Sequence, residues 1–102
     1  MLEFSTSFKP LNSGDGYRAE MSSSVLMKAQ RGQIKLAVED PEGEFEIDIS
    51  EMNWYDEKTV SGREGGVYDS IKKVQFEEDV KYAVFYFNQT RIPYMLALKT
   101  PA

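Results

Sequence analysis

The run Ile34-Lys35-Leu36-Ala37-Val38-Glu39-Asp40-Pro41-Glu42-Gly43-Glu44-Phe45-Glu46-Ile47-Asp48-Ile49 decides the fold class. Ile34, Leu36 and Val38 alternate with Gln33, Lys35 and Glu39. Phe45, Ile47 and Ile49 alternate with Glu44, Glu46, Asp48 and Ser50. A period of two marks strands with one face toward a core. Between them, Asp40-Pro41-Glu42-Gly43 places proline and glycine where a tight turn needs them. Folding back about this turn sets Val38 opposite Phe45, Leu36 opposite Ile47 and Ile34 opposite Ile49. On the other face Lys35 meets Asp48, an attractive cross-strand pair. One register satisfies both faces, so the segment predicts a β-hairpin.

Working outward, the same period recurs. Leu2, Phe4, Thr6 and Phe8 alternate with polar residues, and a loop follows at Pro10 and Asn12–Gly16. Residues 17–30 alternate from Tyr17 to Ala29 and read as a long strand, although a helix over 18–30 also fits. Residues 51–60 suggest a weaker strand, and Ser61–Gly66 a flexible loop. Val67 to Phe76 mixes helical and strand spacing. The acids Glu77-Glu78-Asp79 would sit badly at a helix C-terminus, which favours strand. Residues 80–87 and 92–98 are apolar on both faces, as interior strands are. Turning at Asn88–Arg91 pairs them as a last hairpin, with Phe87 opposite Ile92 and Phe85 opposite Tyr94. Pro93 cannot donate to a ladder and marks an edge or a bulge. The expected core is Phe85, Phe87, Val84, Leu96, Leu36, Ile47, Ile34 and Phe45. The fold expected is mainly β, a small antiparallel β-barrel or β-sandwich of about six to eight short strands with room for one short helix.

The chain has 102 residues, 41% of them hydrophobic and 13% aromatic, enough for the core of one domain spanning 1–102. It contains no cysteine and no histidine. Disulfides, thiolate nucleophiles, histidine triads and the usual zinc sites are thereby excluded. The longest unbroken apolar run, Ala83 to Phe87, is too short to span a bilayer as a helix. The N-terminus lacks the basic region and apolar core of a signal peptide, so a cytoplasmic protein without membrane association is expected.

The net charge of −5 is unevenly spread. Nine of the seventeen acids lie between Glu39 and Glu57, with no base among them; the rest of the chain carries twelve bases against eight acids. Such a stripe is either a solvated face that keeps the protein soluble or a docking surface for a basic protein. The candidate docking residues are Glu42, Glu44, Glu46 and Asp48, with Trp54 and Tyr55 as aromatic anchors. A tryptophan in so small a domain is more often core. Asp40, Glu42, Glu44 and Glu51 have the spacing of a calcium loop, but Phe45 stands where the sharp turn needs glycine, so no metal or other cofactor is expected.

A second set is cationic and aromatic: Lys72, Lys73, Lys81, Arg91 and Lys99 interleave with Tyr68, Tyr82, Tyr86 and Tyr94. Small β domains bind single-stranded nucleic acid by stacking bases on such rings and tracking phosphates with such cations. The plainer reading is core rings and solubilising lysines, and the overall acidity opposes a polyanion. Many carboxylates are present, but none is singled out as a pair, and the glycine loops fit no phosphate-binding pattern. No enzyme is therefore expected. The leading expectation is a non-catalytic interaction domain that docks a basic partner through the acidic hairpin, of the kind that serves viruses, phages and other mobile elements as an inhibitor or assembly factor. The alternatives are a nucleic-acid-binding β domain and a structural subunit of a homo-oligomer using an exposed edge strand.

Overall fold

The computed structural model describes residues 2–12, 16–68, 70–77, 79, 81–88 and 92–99. The elements follow the order β1 (Leu2–Ser7), β2 (Lys9–Pro10), β3 (Tyr17–Glu20), α1 (Ser23–Gln30), β4 (Lys35–Asp40), β5 (Gly43–Ile47), a 3₁₀ turn (Ile49–Glu51), β6 (Asn53–Trp54), β7 (Thr59–Ser61), β8 (Ile71–Glu77), β9 (Tyr82–Phe87) and β10 (Met95–Lys99). The strands form two antiparallel sheets, β1-β10-β4-β5 and β2-β3-β9-β8-β7-β6. Their inner faces share one apolar core, so the architecture is a sandwich rather than a closed barrel. Among the described residues ten strand segments appear, partly because the N-terminal strand is divided: buried Phe8 separates β1 in one sheet from β2 in the other.

The central hairpin has the register that its sequence predicts, with Val38 opposite Phe45 and Leu36 opposite Ile47. It ends two residues earlier than expected. Asp48 is buried and caps the 3₁₀ turn, its Oδ1 accepting from the backbone N–H of Ser50 at 3.1 Å. The backbone N–H of Asp48 donates to the Tyr68 hydroxyl at 3.0 Å. The expected pairs Ile34–Ile49 and Lys35–Asp48 therefore do not form. A short polar side chain that can satisfy nearby backbone donors ends a strand readily.

Residues 17–30 are not one strand. β3 ends at Glu20, and α1 follows with Val25, Leu26 and Ala29 on its buried side. Ser22, Ser23 and Ser24, a residue type poorly suited to a helix interior, lie at its start, with Ser22 at the N-cap position where serine is favoured. The helix closes with Gly32 at a φ of 72°, the left-handed conformation that glycine adopts without strain. Gln33 N–H donates to Lys28 O at 2.9 Å and Gly32 N–H to Ala29 O at 3.1 Å, a Schellman closure. Residues 51–60 likewise divide, giving β6 and the start of β7, which pair with each other. Residues 71–77 form the strand β8, and Asp79 turns the chain toward β9 with a φ of 56°.

The largest correction concerns the last hairpin. β9 pairs with β3 and β8, whereas β10 pairs with β1 and β4 in the opposite sheet. Both are interior strands, as their apolar faces require, but they are not neighbours. Two strands without a polar face have nothing to fix a mutual register, so alternation could not name their partners. Pro93 is buried ahead of β10 and takes no place in its ladder. Of the proposed turn, Gln89–Arg91 lie outside the described residues.

Phe85, Leu36, Ile47, Leu96 and Ile34 are buried in the core, with Phe87 and Phe45 partly buried against it. Phe85 meets Phe8 edge-on at 5.2 Å between ring centroids. Val84 is also buried, but on the other side of β9, between its ladder partners Arg18 and Gln75. Replacing Phe85 with alanine should cost about 3–5 kcal/mol, read as a lower denaturation midpoint in urea. The Ser61–Gly66 loop is pinned at Gly62, whose N–H donates to Ile71 O at 3.1 Å. A Cβ at Gly62 would stand 1.7 Å from the Tyr68 carbonyl oxygen. Gly62→Ala should therefore destabilise by about 2–3 kcal/mol, again read from the urea midpoint, although it removes no contact.

Candidate functional site

Alternation along a strand in a sandwich sends every second side chain outward, so each sheet presents its own outer face. On the four-stranded sheet the inward residues of β4 and β10 are Leu36, Val38, Leu96 and Leu98. Ala37 and Ala97 face outward as ladder partners. These small residues let Lys99 reach across β4 to β5. Its Nζ bonds Glu46 Oε1 at 2.9 Å and also pairs with Glu44. Lys35 stands 3.9 Å from Glu46. The hydrogen bonds to Glu44 and Glu46 push the Lys99 ammonium up to about 12, and the bond from Lys99 holds the Glu46 carboxyl below its ordinary value.

The acids of 39–57 thus have several different settings. Glu42 is exposed at the hairpin turn, where its backbone N–H donates to Asp40 Oδ1 at 2.9 Å. Glu44 and Glu46 share Lys99, and Asp48 caps the 3₁₀ turn. Trp54 is half-buried, stacks on Phe76 at 6.2 Å and donates from Nε1 to Ile49 O at 3.2 Å. Tyr55 is 73% exposed, and its hydroxyl accepts from Ser61 Oγ at 3.2 Å.

The outer face of the six-stranded sheet is different in character. In β9, Ala83 and Phe85 point to the core, leaving Tyr82, Val84 and Tyr86 outward. A register shift in β8 between Ile71 and Lys73 gives two successive lysines beside them. Lys73 pairs with Tyr86 across the ladder, its Nζ 4.8 Å from the ring centroid. Arg18 on β3 lies over the Tyr82 ring at 3.5 Å. Both are cation–π contacts. Tyr55, Thr59, Lys72, Lys73, Tyr86 and Phe87 line a groove of about 810 Å³ on this face.

The fold therefore brings Lys72, Lys73, Tyr82 and Tyr86 together and adds Lys9, Arg18 and Tyr55. It separates others of the cationic set. Lys81 is exposed in the turn before β9, and its carbonyl accepts from Met21 N–H at 2.8 Å. Tyr94 is half-exposed beside the four-stranded sheet, its N–H donating to Glu39 O at 2.7 Å. Lys99 belongs to the acidic hairpin, Tyr68 braces Asp48, and Arg91 lies outside the described residues. Among the described residues no cluster of acids could hold a metal ion, and no helix is long and apolar enough to cross a membrane. No known protein family, curated protein or solved structure matches the chain.

Lys99→Gln removes the hydrogen bond that lowers the Glu46 carboxyl. The pair's stabilisation is complete between the ordinary glutamate and lysine values. It is lost as pH falls through the lowered Glu46 value and as pH rises through about 12. In the variant, NMR titration should show Glu46 protonating at higher pH, closer to an isolated glutamate.

Proposed function

We propose that the protein is a non-catalytic binding module that takes a single-stranded nucleic acid across the outer face of its six-stranded sheet. The observation that supports this reading is the groove in which Lys72 and Lys73 stand beside the rings of Tyr86 and Tyr55. Bases stack on such rings without sequence preference, and lysines track the phosphates. The net charge of −5 opposes a polyanion, but the strands of this face carry Lys9, Arg18, Lys72 and Lys73 against Glu20 and Glu77. Binding should accordingly be modest and strongly weakened by salt.

The test is fluorescence anisotropy of a labelled oligothymidylate at several salt concentrations. Replacing both Lys72 and Lys73 with glutamine should lower affinity about tenfold and flatten the log–log salt slope by about 1.4, the single-strand value for two phosphate contacts. No binding at low salt would refute the reading, as would a folded double variant with unchanged affinity and slope.

A second reading keeps the acidic hairpin as a dock for a basic protein. It draws on the position of β5, an outermost strand of its sheet that carries Glu44 and Glu46 next to exposed Glu42. With Asp48 left in place as a structural cap, the variant E42Q/E44Q/E46Q should still fold. Its association with a polylysine peptide should slow and lose salt dependence if the hairpin docks basic surfaces. An unchanged association rate would remove this reading.

A further inference from the structure

Beyond the groove, the same sheet face ends in a smaller recess of about 200 Å³, lined by Thr6, Ser7, Lys9, Arg18, Glu20 and Tyr82. It forms at the corner where β1 passes into β2, beside β3 and the first residue of β9. We infer that this recess is a pocket for one guanine base of the bound strand. The inference rests on the nucleic-acid reading and adds a base preference to it.

Size comes first. At about 30 Å³ per water, the recess holds about seven waters, room for one planar base and not for a base pair. Stacking comes next. The Arg18 guanidinium lies 3.5 Å over the Tyr82 ring, so a flat cationic surface is already in place, and single-stranded bases stack on guanidinium planes as well as on rings. Continuity follows from β9 itself. Tyr82 and Tyr86 lie on one side of the strand, four residues and about 13 Å apart, so one extended strand can reach both the groove and the recess.

The lining then selects the base. The Glu20 carboxylate accepts hydrogen bonds, while the Lys9 ammonium donates them. Guanine offers adjacent donors, N1–H and the exocyclic N2–H₂, on its Watson–Crick edge. It offers two acceptors, O6 and N7, on its other edge, the pair that lysine and arginine recognise in duplexes. Adenine sets the acceptor N1 against the carboxylate. Uracil and thymine set a single N–H there between two carbonyls, and cytosine offers one amino group beside an acceptor. Guanine alone sets two adjacent donors against the carboxylate and still leaves two acceptors, O6 and N7, for the lysine. Thr6 and Ser7, whose hydroxyls both donate and accept, fit the sugar and phosphate that accompany the base.

The test compares labelled oligothymidylates carrying one central guanine, adenine, cytosine, hypoxanthine or 7-deazaguanine, measured by anisotropy with the full chain. A single guanine should tighten binding about tenfold over thymine. Hypoxanthine, which lacks the exocyclic amino group, and 7-deazaguanine, which lacks N7, should each lose most of that gain. Glu20 is exposed, so Glu20→Gln should fold normally, bind oligothymidylate at least as well and lose the guanine gain. Lys9→Gln should remove the distinction between guanine and 7-deazaguanine. Equal binding of all the oligonucleotides by the unmodified protein would overturn the pocket while leaving the nucleic-acid reading intact. Failure to bind any of them would overturn both.

Discussion

β9 and β10 follow each other in sequence, and each is buried over its three central residues, Ala83–Phe85 and Leu96–Leu98. A strand without a polar face needs cover on both sides and a neighbour along each edge. The chain meets this by giving each of them its own sheet. β3 and β8 flank β9, and β1 and β4 flank β10. The remaining architecture follows from this division. Phe8 carries the N-terminal strand from one sheet to the other, α1 leads from β3 in one to β4 in the other, and the 3₁₀ turn joins β5 to β6. β1 pairs with β10 and β3 with β9, contacts between distant parts of the chain, so the fold depends on closures that local structure cannot supply.

The sandwich also separates two chemistries that are mingled in the sequence. Lysines from β4 and β10 come to rest on the acidic hairpin, where Lys35 and Lys99 meet Glu46. Exposed pairs of this kind contribute little stability, but they change what the surface offers to a partner. On the opposite face cations lie over rings, with Arg18 on Tyr82 and Lys73 on Tyr86.

Placement on strands matters for the proposed binding. Tyr82, Tyr86 and Arg18 project from β9 and β3, whose inward residues Ala83, Phe85 and Ala19 are buried. A side chain whose backbone is fixed by packing on its other face presents its ring with little entropy to lose on binding. The register shift in β8 has the complementary effect, turning two consecutive lysines toward one groove where regular alternation would allow one.

The sequence by itself determined the mainly β class, the turn at Asp40–Gly43 and the Val38–Phe45 and Leu36–Ile47 pairs, because one polar and one apolar face leave a single register. It also identified most of the core, whereas the Lys73–Tyr86 pair lies in the β8–β9 hairpin, which alternation did not name. Helix α1 was only half legible, since a serine cluster reads as strand or as helix cap until the burial of Val25, Leu26 and Ala29 is known. Strand partnership was decided by tertiary structure alone wherever both faces are apolar, which is why β9 and β10 part. The same holds for the candidate site. Arg18 and Lys9 are far from Tyr82 in sequence, and Tyr55 stands among acids, so only the six-stranded sheet joins them to one face. Asp48 shows the converse: its alternation placed it among the surface acids, while the backbone donor of Ser50 drew it into the protein as a cap. Periodicity reports which face a residue takes, and it carries no information on which distant strand will lie beside it.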